Sequence, residues 1–258
     1  MPVVNLVFVR HAETFNNNLQ MSGEQLTPST RVSDVSITSV GEKQSELTAD
    51  YLATIRDVSH VIVSPMLRTI QTARPLMRRL APKVTPEVWL DLFEEGGIFS
   101  GTRADHLQGI EDSNILHGLT IEEIKSQANV HVTIRGEPHS KGWWRGGFES
   151  PDQSNARADR VASEIWKLVD TMKHPATVVI ITHGLFMDNL VRKLLKFPAH
   201  DSALVFAHNC GLHILHLHTE TRRIAVAGLN VTPHLPIELR TGHSVGNTFK
   251  CSPEYLSL

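Results

Sequence analysis

Cysteine is nearly missing from this chain of 258 residues: Cys210 and Cys251 are the only two. Two thiols are too few for a disulfide framework or a four-thiolate zinc site. Long apolar runs are missing too. Stretches such as Leu6–Val9 and Val178–Ile181 fall far short of the ~20 residues that span a bilayer. Neither sign of charge dominates, since 25 Lys and Arg face 27 Asp and Glu for a net charge of −2. That balance offers no electrostatic footprint for nucleic acid or an acidic membrane. The first residues lack the basic start and longer apolar stretch of a secretory signal. Asn230-Val231-Thr232 is therefore a glycosylation sequon without a route to the glycosylation machinery. No Gly-x-x-x-x-Gly-Lys-Ser/Thr occurs, which removes nucleotide hydrolysis by a P-loop. The expectation is a reduced, soluble, cytoplasmic protein, with length and a 41% hydrophobic content suited to a globular α/β chain. Histidine, at 15 residues, is what the sequence has in plenty.

Val3–Val9 is an apolar, β-branched run interrupted only by Asn5, and reads as a buried strand. It leads directly into Arg10-His11-Ala12-Glu13-Thr14 and then Asn16-Asn17-Asn18. Gly41 to Arg56 predicts a helix, and His60–Val63 a second strand followed by Ser64-Pro65 and a helix carrying Arg68. Pro75 is expected to kink that helix or end its first part. Val84–Leu90 predicts a third strand. Ser154–Lys173 is a long amphipathic helix, Thr177–Thr182 a fully buried strand ending at His183-Gly184, and Leu185–Phe197 a further helix. Ala203–Phe206, Gly211–His218 and Arg223–Leu229 read as later strands, the last two a hairpin.

Residues 94–152 differ in texture, with 9 of the 16 glycines. Thr120 with Glu123 forms a capping box there, with Leu119 and Ile124 at the staple positions. The stretch reads as a loop-rich cap inserted within a single domain over 1–258. Strand and helix alternate elsewhere, which argues for an α/β sheet covered by helices. Ligand sites in such sheets lie beyond the carboxyl ends of the strands. His11 and His183 both sit just past such ends, which places them on one edge.

Four elements then occur in order. These are strand-Arg10-His11-x-Glu13-Thr14, Ser64-Pro65-x-x-Arg68-Thr69-x-x-Thr72-Ala73, Glu94-Glu95-Gly96-Gly97, and strand-Thr182-His183-Gly184. Together they resemble the histidine phosphatase superfamily, in its phosphoglycerate-mutase-like branch 1. The resemblance covers nearly the whole chain. It implies a three-layer α/β/α fold around a central, mostly parallel sheet. It also implies phosphohistidine chemistry with no cofactor and no metal. Ala12 stands where the family has glycine, which removes no catalytic group. The mutases' acid segment, Glu-Arg-His-Tyr-Gly, is absent, and Glu94-Glu95-Gly96-Gly97 occupies that region. This departure favours a phosphatase over a mutase.

The resemblance assigns His11 as the nucleophile that becomes phosphorylated. Arg10, Arg68 and Asn17 match positions that bind the phosphoryl oxygens, and His183 completes that ring. Planar guanidinium forks suit phosphate better than lysines would, and an imidazole with a pKa of ~6.5 can attack in its neutral form near pH 7. A carboxylic acid must protonate the departing alkoxide. Glu94 is the first choice and Glu95 the alternative, since adjacent acids are not separated by sequence. Arg103, Lys141 and Arg145 are candidates for a second anionic group on the substrate, with solvent exposure as the simpler reading. Trp143 and Trp144 either close over the substrate or pin the cap to the core. The expected partner is a small phosphorylated metabolite, with a phosphoprotein as second possibility.

Other readings rank lower. Gly242-His243-Ser244-Val245-Gly246 has the form of an esterase nucleophile elbow, but the acid and histidine that must follow it in the chain are missing. His213, His216 and His218 invite a metal, yet lack a third same-face ligand and are expected to point outward from a strand. Two rivals from different classes remain: a mutase, and a catalytically silent phospho-ligand- or protein-binding member of the family.

Overall fold

The computed structural model describes residues 2–22, 32–99, 117–144, 149–197, 204–242, 244–245 and 249–250. Seven strands form one sheet: β1 (Val3–Arg10), β2 (Val58–Val63), β3 (Glu87–Trp89), β4 (Thr133–Arg135), β5 (Ala176–Thr182), β6 (Leu212–His218) and β7 (Ile224–Val231). Their order is β4-β3-β2-β5-β1-β6-β7. The first five run parallel, and β6 and β7 add an antiparallel hairpin at one edge. Six α-helices accompany them among the described residues: α1 (Phe15–Met21), α2 (Ser39–Ala53), α3 (Leu67–Leu80), α4 (Ile121–Ala128), α5 (Pro151–Asp170) and α6 (Gly184–Leu195). A further short pair, Ser244–Val245 with Phe249–Lys250, lies apart from this sheet.

Alternation along the central strands builds the layers. Val7 and Val9 of β1, with Val179 and Ile181 of β5, join a core with Leu52 of α2, Ile70 and Leu76 of α3, and Ile124 of α4. Leu6, Phe8, Val178 and Ile180 turn the other way, against Ile165 of α5 and Phe186 and Leu190 of α6. All of these side chains are essentially buried, each worth roughly 1.5–3 kcal/mol of transfer free energy. The result is the expected three-layer α/β/α arrangement. Of the stretch 94–152, the described part extends the main sheet with β4 and lays α4, behind its Thr120–Glu123 capping box, on the α3 side of the core.

Several local expectations shift. Pro75 does not end α3, which runs unbroken from Leu67 to Leu80 with Ile70, Ala73, Leu76 and Met77 buried. That packing outweighs one missing backbone hydrogen bond. The third strand shrinks to Glu87–Trp89 because Pro86 has no N–H to give the ladder, although Val84 is still buried. α5 starts at Pro151, not Ser154, since Ser150 and Gln153 form a capping box with proline at the first helical position. No strand forms over the described residues 204–206. His213 faces inward and is fully buried, contrary to the outward reading, while His216 and His218 are half-buried. No helix among the described residues is long and apolar enough to cross a membrane.

Candidate active site

The parallel register of β1 and β5 aligns Arg10 with Thr182, so both strands release their chains at one level. His11 N–H donates to Thr182 O (2.9 Å), and the His11 and His183 rings lie 5.4 Å apart between centroids. β2 ends alongside, where Ser64 N–H donates to Ile181 O (3.1 Å) and the chain turns into α3 with Arg68 in its first turn. Three adjacent strand ends thus place His11, His183 and Arg68 together, with His11 and His183 on one edge as expected.

His11 Nδ1 lies 2.8 Å from Ala12 O. A carbonyl can only accept, so Nδ1 carries the proton and Nε2 keeps its lone pair. Nε2 makes no hydrogen bond among the described residues. Burial, then the cationic Arg68 and Arg10, hold the imidazole pKa well below its usual value, so the ring stays neutral. His183 shows the same depression, again from burial first and Arg68 next. Its Nε2 sits 2.7 Å from Ser64 Oγ, and its buried Nδ1 has no partner among the described residues. With the Ser64 hydroxyl donating to Nε2, Nδ1–H is left as a free donor.

Arg10 is anchored through Nη1, which donates to Ala207 O (2.7 Å) and Gly242 O (3.0 Å), while Nε is buried without a partner. Burial lowers its pKa to about 10, which leaves the guanidinium charged near neutrality. Gly184 lies against this guanidinium: a Cβ there would be 3.4 Å from Arg10 Nε. Arg68 makes no side-chain hydrogen bond among the described residues, though Asp34 and Glu94 both act on its charge. Asn17 spends Oδ1 on Thr14 N–H (3.2 Å) and Thr14 Oγ1 (2.8 Å), leaving its amide N–H groups to donate. Donors without a protein partner among the described residues are available to an anionic ligand.

The adjacent acids part company. Glu94 is buried and turned to the N-terminus of α6. Its Oε1 accepts Phe186 N–H (2.8 Å) and Glu95 N–H (2.9 Å), and its Oε2 accepts Leu185 N–H (3.3 Å). Its charge acts on Arg10 and Arg68. Glu95 instead accepts from Asn189 Nδ2 (3.0 Å), and burial raises its carboxyl pKa. Glu95 therefore points to the α5–α6 side and Glu94 toward the arginines.

Four residues missed by the sequence reading support the site. Asn209 donates to His11 O (2.9 Å) and Asn17 Oδ1 (3.3 Å). Asp34 accepts Leu67 N–H (2.8 Å) at the start of α3. Arg157 and Glu149 form a buried ion pair behind Glu94. Arg157 was legible in principle, since it falls on the apolar stripe of α5 between Ser154 and Ala158. Trp143 and Trp144 pack on Phe93 and are buried, which favours their pinning role. Lys141 is exposed, and Arg103, Arg145 and Cys251 lie outside the described residues. No group of three or more His, Cys, Asp or Glu side chains among the described residues is placed to hold a metal ion.

A sequence model of the histidine phosphatase superfamily (branch 1) matches residues 6–112 and 110–230. This chain belongs to that superfamily. A probable phosphoglycerate mutase GpmB from Photorhabdus laumondii is 26% identical over 81% of this chain and 83% of that protein. The GpmB of Yersinia enterocolitica is 24% identical over the same shares. Among solved structures, mycobacterial glucosyl-3-phosphoglycerate phosphatase superposes with a TM-score of 0.55 at 22% identity, covering 89% of this chain and 100% of that one. Phosphoserine phosphatase from Entamoeba histolytica, solved with phosphoserine, gives 0.52 at 17% identity over 90% and 100%. The structural likenesses establish the fold, and the superfamily comprises phosphatases and mutases.

Proposed function

We propose that this histidine phosphatase family member hydrolyses phosphate monoesters of small metabolites through a phosphohistidine on His11, without metal or cofactor. The observation that carries the reading is the His11 imidazole, held neutral by burial and the charges of Arg68 and Arg10, with Nδ1–H on Ala12 O and no hydrogen bond on Nε2 among the described residues. Nε2 attacks phosphorus, the P–N bond forms and the ester P–O bond breaks. Arg10, Arg68, Asn17 and His183 take up the charge on the equatorial oxygens. Glu94 delivers a proton to the leaving oxygen, and a monoanionic phosphate ester itself brings that proton to the site. Glu94 then receives a proton from the water that cleaves the P–N bond and releases inorganic phosphate.

Glu94 supersedes Glu95 in this role because only Glu94 acts on the arginines. The names of the solved neighbours, acting on phosphoserine and on glucosyl-3-phosphoglycerate, support a small phosphorylated metabolite over a phosphoprotein. The GpmB relatives' name supports the mutase as second reading. A chain with only two cysteines suits the reducing cytoplasm as compartment. The test is phosphate release from a panel of phosphorylated metabolites in excess chelator, for wild type and His11→Ala. Chelator-resistant release that disappears in His11→Ala is the expected result. Release surviving that substitution would sink the mechanism, and isomer interconversion without release would establish the mutase.

A further inference from the structure

Arg157 is among the largest fully buried side chains of the protein. Its Nε and Nη2 donate to the two carboxylate oxygens of Glu149 (2.7 and 2.6 Å). Nη1 donates to Asp91 O (2.7 Å) and Phe93 O (2.9 Å). The guanidinium is also sandwiched between the rings of Phe93 (3.6 Å) and Phe186 (3.9 Å). The contacts with Phe93 and Phe186 lead to Glu94. Phe93 O belongs to the peptide bond leading into Glu94, and Phe186 gives its N–H to Glu94 Oε1.

Stability alone is a poor reason for such a group. A buried ion pair costs several kcal/mol of desolvation per ion, and apolar replacements are often as stable. What an apolar side chain lacks is a planar fork that fixes two carbonyls, a carboxylate and two rings at once. We propose that Arg157 is the positioning residue for Glu94, and that Glu149 locks it in place. Arg157 sets the backbone before the carboxylate and the ring beside it, so the proton donor is held over the leaving oxygen. This rests on the reading of Glu94 as proton donor.

The experiment compares kcat/KM, which reports steps only up to release of the alcohol and so leaves out the water step, for p-nitrophenyl phosphate, whose leaving group departs without a proton, and for an alkyl phosphate. Glu94→Gln is expected to lose about 100-fold on the alkyl ester and little on the aryl one. Arg157→Lys is expected to lose about 10-fold or more on the alkyl ester, as a displaced catalytic group does, and again little on the aryl one. In the double variant, Arg157→Lys should add less than about 3-fold to the alkyl loss of Glu94→Gln. Glu149→Gln, which keeps the shape of its partner, repeats the test if Arg157→Lys does not fold. Equal losses on both esters for the Arg157 and Glu149 variants, with Glu94→Gln still selective, overturn the positioning role alone. A Glu94→Gln enzyme without selectivity overturns the donor assignment, and the positioning role with it.

Discussion

Acid should unfold this protein through its own site. His11, His183 and His213 are buried with pKa values held below normal, about 4 for His213. In the unfolded chain each returns to ~6.5. Below that value the unfolded state binds a proton that the folded state does not, so stability is intact above pH 6.5 and lost as the pH falls. Between pH 6.5 and 5.5 the proton difference per histidine grows from about one half to nearly one, which integrates to about 1 kcal/mol each and about 3 kcal/mol for the three. Asp34 and Glu95 oppose this, since burial raises their pKa and they gain protons sooner in the fold. The effect of one histidine is therefore isolated by difference. Urea unfolding of wild type and His11→Gln at pH 6.5 and 5.5 should show a loss smaller by about 1 kcal/mol in the variant. The two carboxyls are common to both proteins and cancel. A His11→Gln protein as acid-sensitive as wild type would refute the neutral nucleophile.

Other outcomes follow from single contacts. Gly97 has φ +59° and would bring a Cβ within 2.2 Å of the Trp144 ring. Gly97→Ala should cost about 2–4 kcal/mol, read as a lower urea midpoint with altered tryptophan fluorescence. Asn209→Ala leaves His11 O with only the longer Cys210 N–H (3.4 Å) and removes the acceptor of the Thr241 hydroxyl, which donates to Asn209 Oδ1 (3.2 Å). A loss of about 1–3 kcal/mol, with a reduced kcat, is expected from thermal unfolding and turnover. Cys210 is fully buried, and its thiol pKa is raised to about 12. In a Cys251→Ser background a thiol reagent should label Cys210 only after denaturation.

The meeting of His11 and His183 at adjacent strand tips was legible because it is local. A buried apolar run followed at once by Arg10-His11, and another by His183-Gly184, announces both element and site. The different orientations of Glu94 and Glu95 were not legible, because they depend on contacts with Phe186 and Asn189, more than 90 residues on. Asn209 has no surrounding pattern at all, and its role comes from β6 returning beside β1. Arg157 did carry a signal, an arginine in an apolar stripe, but its partners at residues 91, 93 and 149 are joined only by folding. Pro75 misled for a related reason: local backbone preference is overruled where a helix is packed on its buried face. His213 misled by composition, since a histidine in a hairpin reads as polar until the fold gives Nδ1 the Asn230 N–H (2.9 Å).

β1 is paired along nearly its full length on both flanks, Val4–Arg10 with β5 and Val3–Val9 with β6. Strands so enclosed open only when the whole domain does, so their amides exchange with solvent at the slowest, global rate. His11, the proposed nucleophile, follows directly on that strand's tip. Local fluctuations that loosen edges and loops leave it in register, and enzymatic competence and native structure are expected to vanish together in denaturant.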